Sequence, residues 1–165
     1  MAAGAGGAQP GPVDDIREYA RSLIATNLYL TLGTADADGL PWTSPVYFAP
    51  GDALHEFYWV SATDARHSLN LAVRPQASLV VFDSTVEPYR GRALYAEGTT
   101  APATNLNHYP RSGARVSAED VSGASPYRMY LLTATAMWVL CAREPGLPCA
   151  LHGRAEDHRT PVPLG

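Results

Sequence analysis

Alternating apolar and polar positions predict that β-strands dominate this chain. Leu28, Leu30 and Leu32 fall on one side of a predicted strand over residues 28–34. Further strands are predicted over residues 42–49, 56–61, 78–82, 92–99 and 127–141. The stretch 78–82 is apolar at every position after Ser78 and is predicted to be the most buried strand. Closely spaced antiparallel strands joined by tight turns, such as Asp38-Gly39, favour a closed barrel.

Two stretches have helical periodicity instead. Over residues 14–26, one apolar stripe is formed by Ile16, Tyr19, Ala20, Leu23 and Ile24. Asp15 and Glu18 resemble a capping box, and the helix is predicted to plug one end of the barrel. A shorter helix is predicted over residues 64–73, ended by Pro75. Its predicted inward residues are Ala65, Leu69, Ala72 and Val73.

Pro45 lies in the middle of the predicted strand 42–49. Proline cannot donate a backbone hydrogen bond to a neighbouring strand. We therefore expect this strand to lie at an edge, or to have an N–H side that faces something other than a strand.

The chain divides into three regions. Residues 1–12 are rich in Gly, Ala and Pro and are predicted to be a disordered tail, residues 13–142 to form the barrel, and residues 143–165 to form an extended tail. Within the barrel, residues 100–126 lack sustained periodicity, and short helical turns are expected near Asn105 and Ser117.

The amino-acid composition argues against several classes of function. The net charge of −4 gives no reason to expect nucleic acid, and a hydrophobic fraction of 46% is typical of a globular protein. No apolar run approaches the ~20 residues of a membrane helix, and the start of the chain does not resemble a secretory signal, so we expect a cytoplasmic protein. All 12 basic residues are arginine, which excludes a lysine Schiff base.

The start of the second predicted helix is the leading candidate for a binding site. Unpaired N–H groups and the helix dipole favour an anion there, and Arg66 and His67 add a guanidinium and an imidazole.

Other chemical patterns are weak or missing. The chain has no G-x-S-x-G elbow, P-loop or dinucleotide fingerprint. Two cysteines are too few for a disulfide framework. Cys149, His152 and His158 give a C-x2-H…H arrangement in a proline-rich tail, but three ligands without a fourth lead us to predict no metal site.

Four segments together resemble one known family over about residues 14–142. They are LYLTLGTADADGLPWTSPVYF, then FYWVSATDARHSLNLAVRP, then ASLVVFDST followed by GRALYAEGTT, and finally RMYLLTATAMWVL. Their order and spacing are similar to those of the flavin-binding split β-barrels related to pyridoxamine 5′-phosphate oxidase.

This resemblance implies a mainly β fold with flanking helices, a six- to seven-stranded antiparallel Greek-key barrel. It also implies a homodimer with cofactor sites at the subunit interface. FMN is the usual ligand of the family, while related branches hold a deazaflavin, haem or no cofactor.

The resemblance also assigns residues to the cofactor. Thr43, Ser44 and Pro45 match the strand at the flavin edge, and Ser61 and Ala62 match the strand end beside the ribityl chain. Arg66, His67 and Ser68 match the phosphate-binding positions. Trp138 is expected to reach the site of the partner subunit.

The function expected from this resemblance is FMN-dependent oxidation or reduction of a small organic molecule. Its catalytic residues stay unassigned because the cofactor supplies the chemistry. The alternatives are a deazaflavin-dependent reductase, a non-catalytic flavin or haem binder, and a barrel that has lost its cofactor. Oxidation of pyridoxamine phosphate itself is less expected, because that substrate needs a second cationic site.

Overall fold

The computed structural model describes residues 16–87, 91–108, 111, 113, 115–141, 146–149 and 153–165. Within these ranges the helices are α1 (Ile16–Thr26) and α2 (Arg66–Val73), with a 3₁₀ turn at Glu119–Val121. The strands are β1 (Tyr29–Ala35), β2 (Pro41–Pro50), β3 (Glu56–Ala62), β4 (Gln76–Phe82), β5 (Ala93–Ala103), β6 (Tyr127–Leu140) and β7 (Arg159–Pro161). None of the described helices is both long and apolar enough to span a bilayer.

The strands form an antiparallel barrel, as predicted. Their order is β3-β2-β1-β4-β5-β6-β7, and a further pairing of β3 with β6 closes six of them into a ring. This closing ladder runs the full length of β3, from Glu56 opposite Thr133 to Ala62 opposite Tyr127. Closure keeps one side of β3 paired along its full length, which protects the backbone groups on that side from other chains.

The predicted alternation builds the core. Leu30 and Leu32 of β1 are at most 1% exposed, and Phe57 and Trp59 of β3 are fully buried. They belong to one cluster that includes residues from α1, α2 and every strand of the ring. Burying such side chains contributes about 1.5–3 kcal/mol each, so this interior supplies most of the driving force for folding.

The prediction that residues 78–82 form the most buried strand is wrong. Burial alternates along β4, where Leu79 and Val81 are buried but Ser78 is exposed and Phe82 is 46% exposed. The described part of the chain places no helix against the outer face of β4, so only its inner positions are buried.

Pro45 marks the place where the barrel opens. β2 pairs with β1 along its length from Pro41 to Tyr47, but with β3 only over Phe48–Pro50. Among the described residues, 41–47 therefore pair with a strand on one side only, as the proline predicted. Because Pro45 has no N–H to donate, the ladder toward β3 cannot continue through it.

Helix α1 closes one end of the barrel with its predicted apolar stripe. Tyr19, Ala20, Leu23 and Ile24 are all buried in the core cluster. Arg111 donates hydrogen bonds to the carbonyl oxygens of Ile24 (2.5 Å) and Asn27 (2.9 Å) at the end of the helix. A cation there complements the negative end of the helix dipole. The predicted capping residue Asp15 lies outside the described residues.

Helix α2 lies at the opposite end, and its inward face differs from the prediction. Its buried residues are His67, Ser68, Asn70 and Leu71, while Leu69 and Val73 are 56% and 63% exposed and Ala72 is also exposed. The barrel end under α2 is polar, and Asn70 Nδ2 donates to Thr34 Oγ1 of β1 at 3.0 Å. Polar residues of α2 therefore face the barrel, and three of its apolar residues face outward.

The C-terminal region is not entirely the predicted extended tail. β7 pairs with the last residues of β6, with Thr160 opposite Val139. Val162 is 4% exposed and joins the core cluster. The tail thus contributes a strand and a core residue, because its sequence RTPV places an apolar side chain directly after the pairing residues.

Gly98 provides a stability test of the barrel. The β5–β6 register shifts between Glu97 and Gly98, and a Cβ on Gly98 would overlap the Thr133 carbonyl and come within 2.7 Å of Ala134 Cα. Gly98→Ala should lower the free energy of unfolding by roughly 1–3 kcal/mol. In the control Gly91→Ala, the nearest atom is a side-chain carbon 3.9 Å away, so little change is expected. Urea unfolding measures both, and equal stabilities of the two variants would contradict this packing.

Candidate functional site

His67 fills the gap that opens where β2 and β3 separate. Its Nε2 lies 2.6 Å from Ser61 Oγ of β3, and its Nδ1 lies 3.1 Å from Ser44 Oγ of β2. Ser44 Oγ also accepts a hydrogen bond from Trp42 Nε1 at 3.0 Å. One side chain from α2 thus links the two strands at a level where they no longer share ladder hydrogen bonds.

Burial favours the neutral form of this imidazole. His67 is 8% exposed, and desolvation lowers its pKa below the usual 6.5. In the neutral ring one nitrogen donates and the other accepts, and a serine hydroxyl can do either. Both contacts are therefore satisfied without a charge, and His67 acts as a polar linker rather than as a cation at neutral pH.

The start of α2 is open to an anion. Its N-cap residue is Ala65, which has no side chain that could bond to the first-turn N–H groups. The first helical N–H that finds a carbonyl within the helix is that of Leu69, which donates to Ala65 at 3.0 Å. The N–H groups of residues 66–68 precede it, so the positive end of the helix dipole remains without a side-chain cap.

Two further groups belong to this helix start. The exposed Arg66 places its guanidinium carbon 4.4 Å from the centre of the Trp42 ring, a cation–π contact that holds the charge beside the helix. Ser68 is 4% exposed, and its hydroxyl has no hydrogen-bond partner among the described residues. A buried hydroxyl left in this way usually has a ligand or water as its partner.

Trp42 also lines a groove on the outside of the barrel, which we call the outer groove. The groove has a volume of about 640 Å³ and crosses β1, β2, β4, β5 and β6. Thr43 lines the groove and is paired with Gly33 of β1. Because Gly33 has no side chain, nothing projects into the groove from that position. Sites for small ligands have volumes of about 300–1,000 Å³, so the groove is large enough for a cofactor ring.

The structure brings some of the predicted residues together and leaves others apart. Ser44, Ser61 and His67 are in direct contact, Arg66 joins them through Trp42, and Ser68 is buried on the same helix. Thr43 and Pro45 lie on the outer face of β2, alternating with Ser44. Ala62 ends β3. Trp138 pairs with Tyr95 and Pro161 at the far end of β6 from α2. These cofactor contacts stay predictions.

Sequence reasoning gave Trp42 no role beside Arg66. It is 40% exposed and contacts both Arg66 and Ser44. The available signal was its position directly before Thr43-Ser44-Pro45, where strand alternation places it on the same face as Ser44.

The lowered pKa of His67 predicts a pH dependence of stability. An unfolded chain binds the proton at about pH 6.5, and the buried imidazole binds it only at lower pH. The unfolded state therefore gains protons first, and the free energy of unfolding should fall as the pH drops from about 7.5 to about 5. Urea unfolding should show a smaller fall for His67→Gln than for the wild type. The control His108→Gln should keep the wild-type fall; an unchanged fall in His67→Gln would contradict the assignment.

Comparison with known proteins identifies the family. The family model described as pyridoxamine 5′-phosphate oxidase matches residues 16–148. No curated protein matches the sequence.

Solved structures share the fold at low sequence identity. A haem-binding protein of Mycobacterium smegmatis is 18% identical with a TM-score of 0.64, and the match covers 93% of this chain and 59% of that protein. The haem storage protein of Vibrio cholerae is 16% identical with a TM-score of 0.58, over 78% of this chain and 96% of that one. General stress protein 26 of Bacillus anthracis is 12% identical with a TM-score of 0.61, over 78% and 95%.

The family model covers most of the barrel, including α1, α2 and the site between Ser44 and Ser61. The chain therefore belongs to the pyridoxamine 5′-phosphate oxidase family.

Proposed function

We propose that this protein is an FMN-dependent oxidoreductase that acts on a small organic molecule. The observation that carries the proposal is the uncapped start of α2, where first-turn N–H groups lie beside the Arg66 guanidinium. This arrangement suits the phosphate of FMN, because a phosphate accepts several hydrogen bonds and pairs well with arginine.

The donors present fit a phosphate group. The N–H groups of residues 66–68 have no side-chain cap, and the buried hydroxyl of Ser68 lacks a partner among the described residues. Charge-assisted hydrogen bonds of this kind are about twice as strong as neutral ones. Arg66 supplies the charge in this proposal, because burial keeps His67 neutral at pH 7.

Trp42 supports a position for the rest of the cofactor. It contacts Arg66 on one side and lines the outer groove on the other, next to Thr43. A molecule whose phosphate lies at α2 can therefore extend along the outer face of β2, where Thr43 and Pro45 are exposed. When bound, FMN supplies hydride or electron transfer through its ring.

In this proposal His67 is a positioning residue. It holds Ser61 and Ser44 at fixed distances of 2.6 and 3.1 Å from one imidazole. The two serines lie near the strand ends that the cofactor would follow, so their orientation affects its fit. A neutral histidine performs this task without competing with Arg66 for the phosphate.

We further propose that a second copy of the chain covers the exposed apolar side chains near the site. Leu69 and Val73 of α2 and Leu40 of the β1–β2 hairpin are each more than half exposed. Light scattering should give twice the chain mass, and Leu69→Glu should shift the protein toward the single chain. The control Leu147→Glu changes a leucine of similar exposure and should leave the dimer intact. A monomeric wild type would contradict this proposal.

Haem binding without catalysis is the second candidate. Two proteins with this fold are described as haem-binding and haem-storage proteins. The carboxylates of haem are anions, so Arg66 and the outer groove could serve haem as well as FMN. A Soret band that saturates on haemin titration, together with no affinity for FMN, would favour this candidate. A deazaflavin that binds where FMN does not would favour the third, a deazaflavin-dependent reductase.

Titration of the cofactor-free protein with FMN and with riboflavin tests the phosphate assignment. Riboflavin has the same ring and ribityl chain but no phosphate. The wild type should bind FMN more tightly, and Arg66→Ala should weaken FMN binding by about 10- to 100-fold, the value of a hydrogen-bonded charge. Riboflavin binding should change little in this variant.

Arg21→Ala is the matched control, because it removes the same charge from an exposed position on α1. It should leave both affinities unchanged. If Arg66→Ala binds FMN as well as the wild type does, or loses FMN and riboflavin equally, Arg66 does not contact the phosphate.

A further inference from the structure

The C-terminal region brings together three side chains that the barrel site does not use. Cys141 directly follows β6, and its N–H donates to the carbonyl oxygen of His158 at 3.0 Å. This bond extends the β6–β7 ladder, in which Leu140 is opposite Arg159. Cys141 and His158 are therefore neighbours across two paired strands.

The thiol of Cys149 lies at the same place. Gly153 donates to the Cys149 carbonyl, and Cys149 donates to the Arg154 carbonyl, both at 2.7 Å. These bonds fix the backbone of Cys149, whose sulfur lies 2.8 Å from that of Cys141. Both cysteines are buried, at 1% and 4% exposure.

The three donors form a set that a metal ion can use. The two sulfur atoms and a ring nitrogen of His158 all lie within 4.8 Å of one another. We propose that Cys141, Cys149 and His158 bind one Zn²⁺ ion, with a fourth position left for another donor. Thiolates and imidazole are ligands that Zn²⁺ prefers, whereas Ca²⁺ and Mg²⁺ prefer oxygen.

The orientation of His158 supports a metal rather than a disulfide. Its Nδ1 lies 3.0 Å from the Glu156 carbonyl oxygen, which can only accept, so Nδ1 carries the proton and Nε2 holds a lone pair. Metal-bound histidines commonly donate their other nitrogen to a carbonyl in this way. A disulfide would involve only the two sulfur atoms, whereas a metal ion would also use the nearby His158 ring.

The charges and distances of these groups are compatible with a metal ion at this buried position. Two thiolates balance the charge of Zn²⁺, and their two protons leave on binding, so the buried site carries no net charge from these groups. With Zn–S bonds of about 2.3 Å, the sulfurs would stand ~3.8 Å apart, so binding separates the two thiols by roughly 1 Å.

The ion would attach the C-terminal region to the barrel. Cys141 lies at the end of β6, and Cys149 and His158 lie before β7. This position is at the α1 end of the barrel, opposite His67, because the α2 end of β6 begins at Tyr127 opposite Ala62. Its loss should therefore lower stability while leaving the α2 site in place.

Metal analysis of the full chain, purified in the presence of Zn²⁺ and a reducing agent and then dialysed, tests the proposal. The wild type should hold about one zinc per chain, and the variants Cys141→Ser and His158→Gln should bind Zn²⁺ at least about tenfold more weakly. The control His108→Gln should retain zinc. Replacement of Zn²⁺ by Co²⁺ should give thiolate-to-cobalt absorption in the near ultraviolet.

If Cys141→Ser and His158→Gln fail to fold, measurements on the wild type alone test the proposal. A strong chelator should then lower its melting temperature, because the ion binds only the folded chain. Zinc-free wild-type protein without a cobalt spectrum would overturn the proposal. So would zinc retained by both variants, or a chain mass that lacks two hydrogen atoms because the cysteines form a disulfide.

Discussion

On the N-terminal side of Phe48, β2 no longer pairs with β3, and the imidazole of His67 takes the place of hydrogen bonds between the two strands. Pro45 makes this separation necessary, because it cannot donate to β3. The barrel tolerates this separation because the other side of β3 stays paired with β6 along its full length. A barrel that closes firmly on one side of β3 can therefore open on the other without exposing its core.

This opening positions the candidate site. α2 covers the polar barrel end with His67 and Asn70, and so its apolar residues Leu69 and Val73 face outward. The same placement directs the start of the helix, with Arg66, toward Trp42 and the outer groove. The packing of α2 on the barrel thus produces both the uncapped helix start beside Trp42 and the exposed apolar surface of Leu69 and Val73.

Local patterns were sufficient to predict most of the fold. Alternation located the strands, the stripe from Tyr19 to Ile24 predicted the inward face of α1, and Pro45 predicted a one-sided strand. The prediction of the inward face of α2 is wrong because it assumes that the apolar residues of a helix face an apolar interior. The barrel end under α2 is polar, so His67, Ser68 and Asn70 face it instead. The prediction for β4 is wrong because a continuous apolar run indicates a strand buried on both faces, whereas burial alternates along β4.

The sequence could predict only part of the site, because the site depends on contacts between residues that are distant in the chain. Arg66 and His67 were visible as a basic pair at a helix start, but the contacts with Ser44 and Trp42 depend on how two strands diverge. Cys141 was not grouped with Cys149 and His158, because its proximity arises from the pairing of β7 with β6. Such pairings follow from the register of the closed sheet and not from spacing along the chain.

The most direct test of the account is the absorption spectrum of the purified full-length protein, followed by denaturation and identification of any released molecule. We expect flavin absorption and release of FMN, because we propose the start of α2, with Arg66, as the site that binds its phosphate. A protein that shows a Soret band and releases haem, or one that remains colourless and does not bind added FMN, would contradict it.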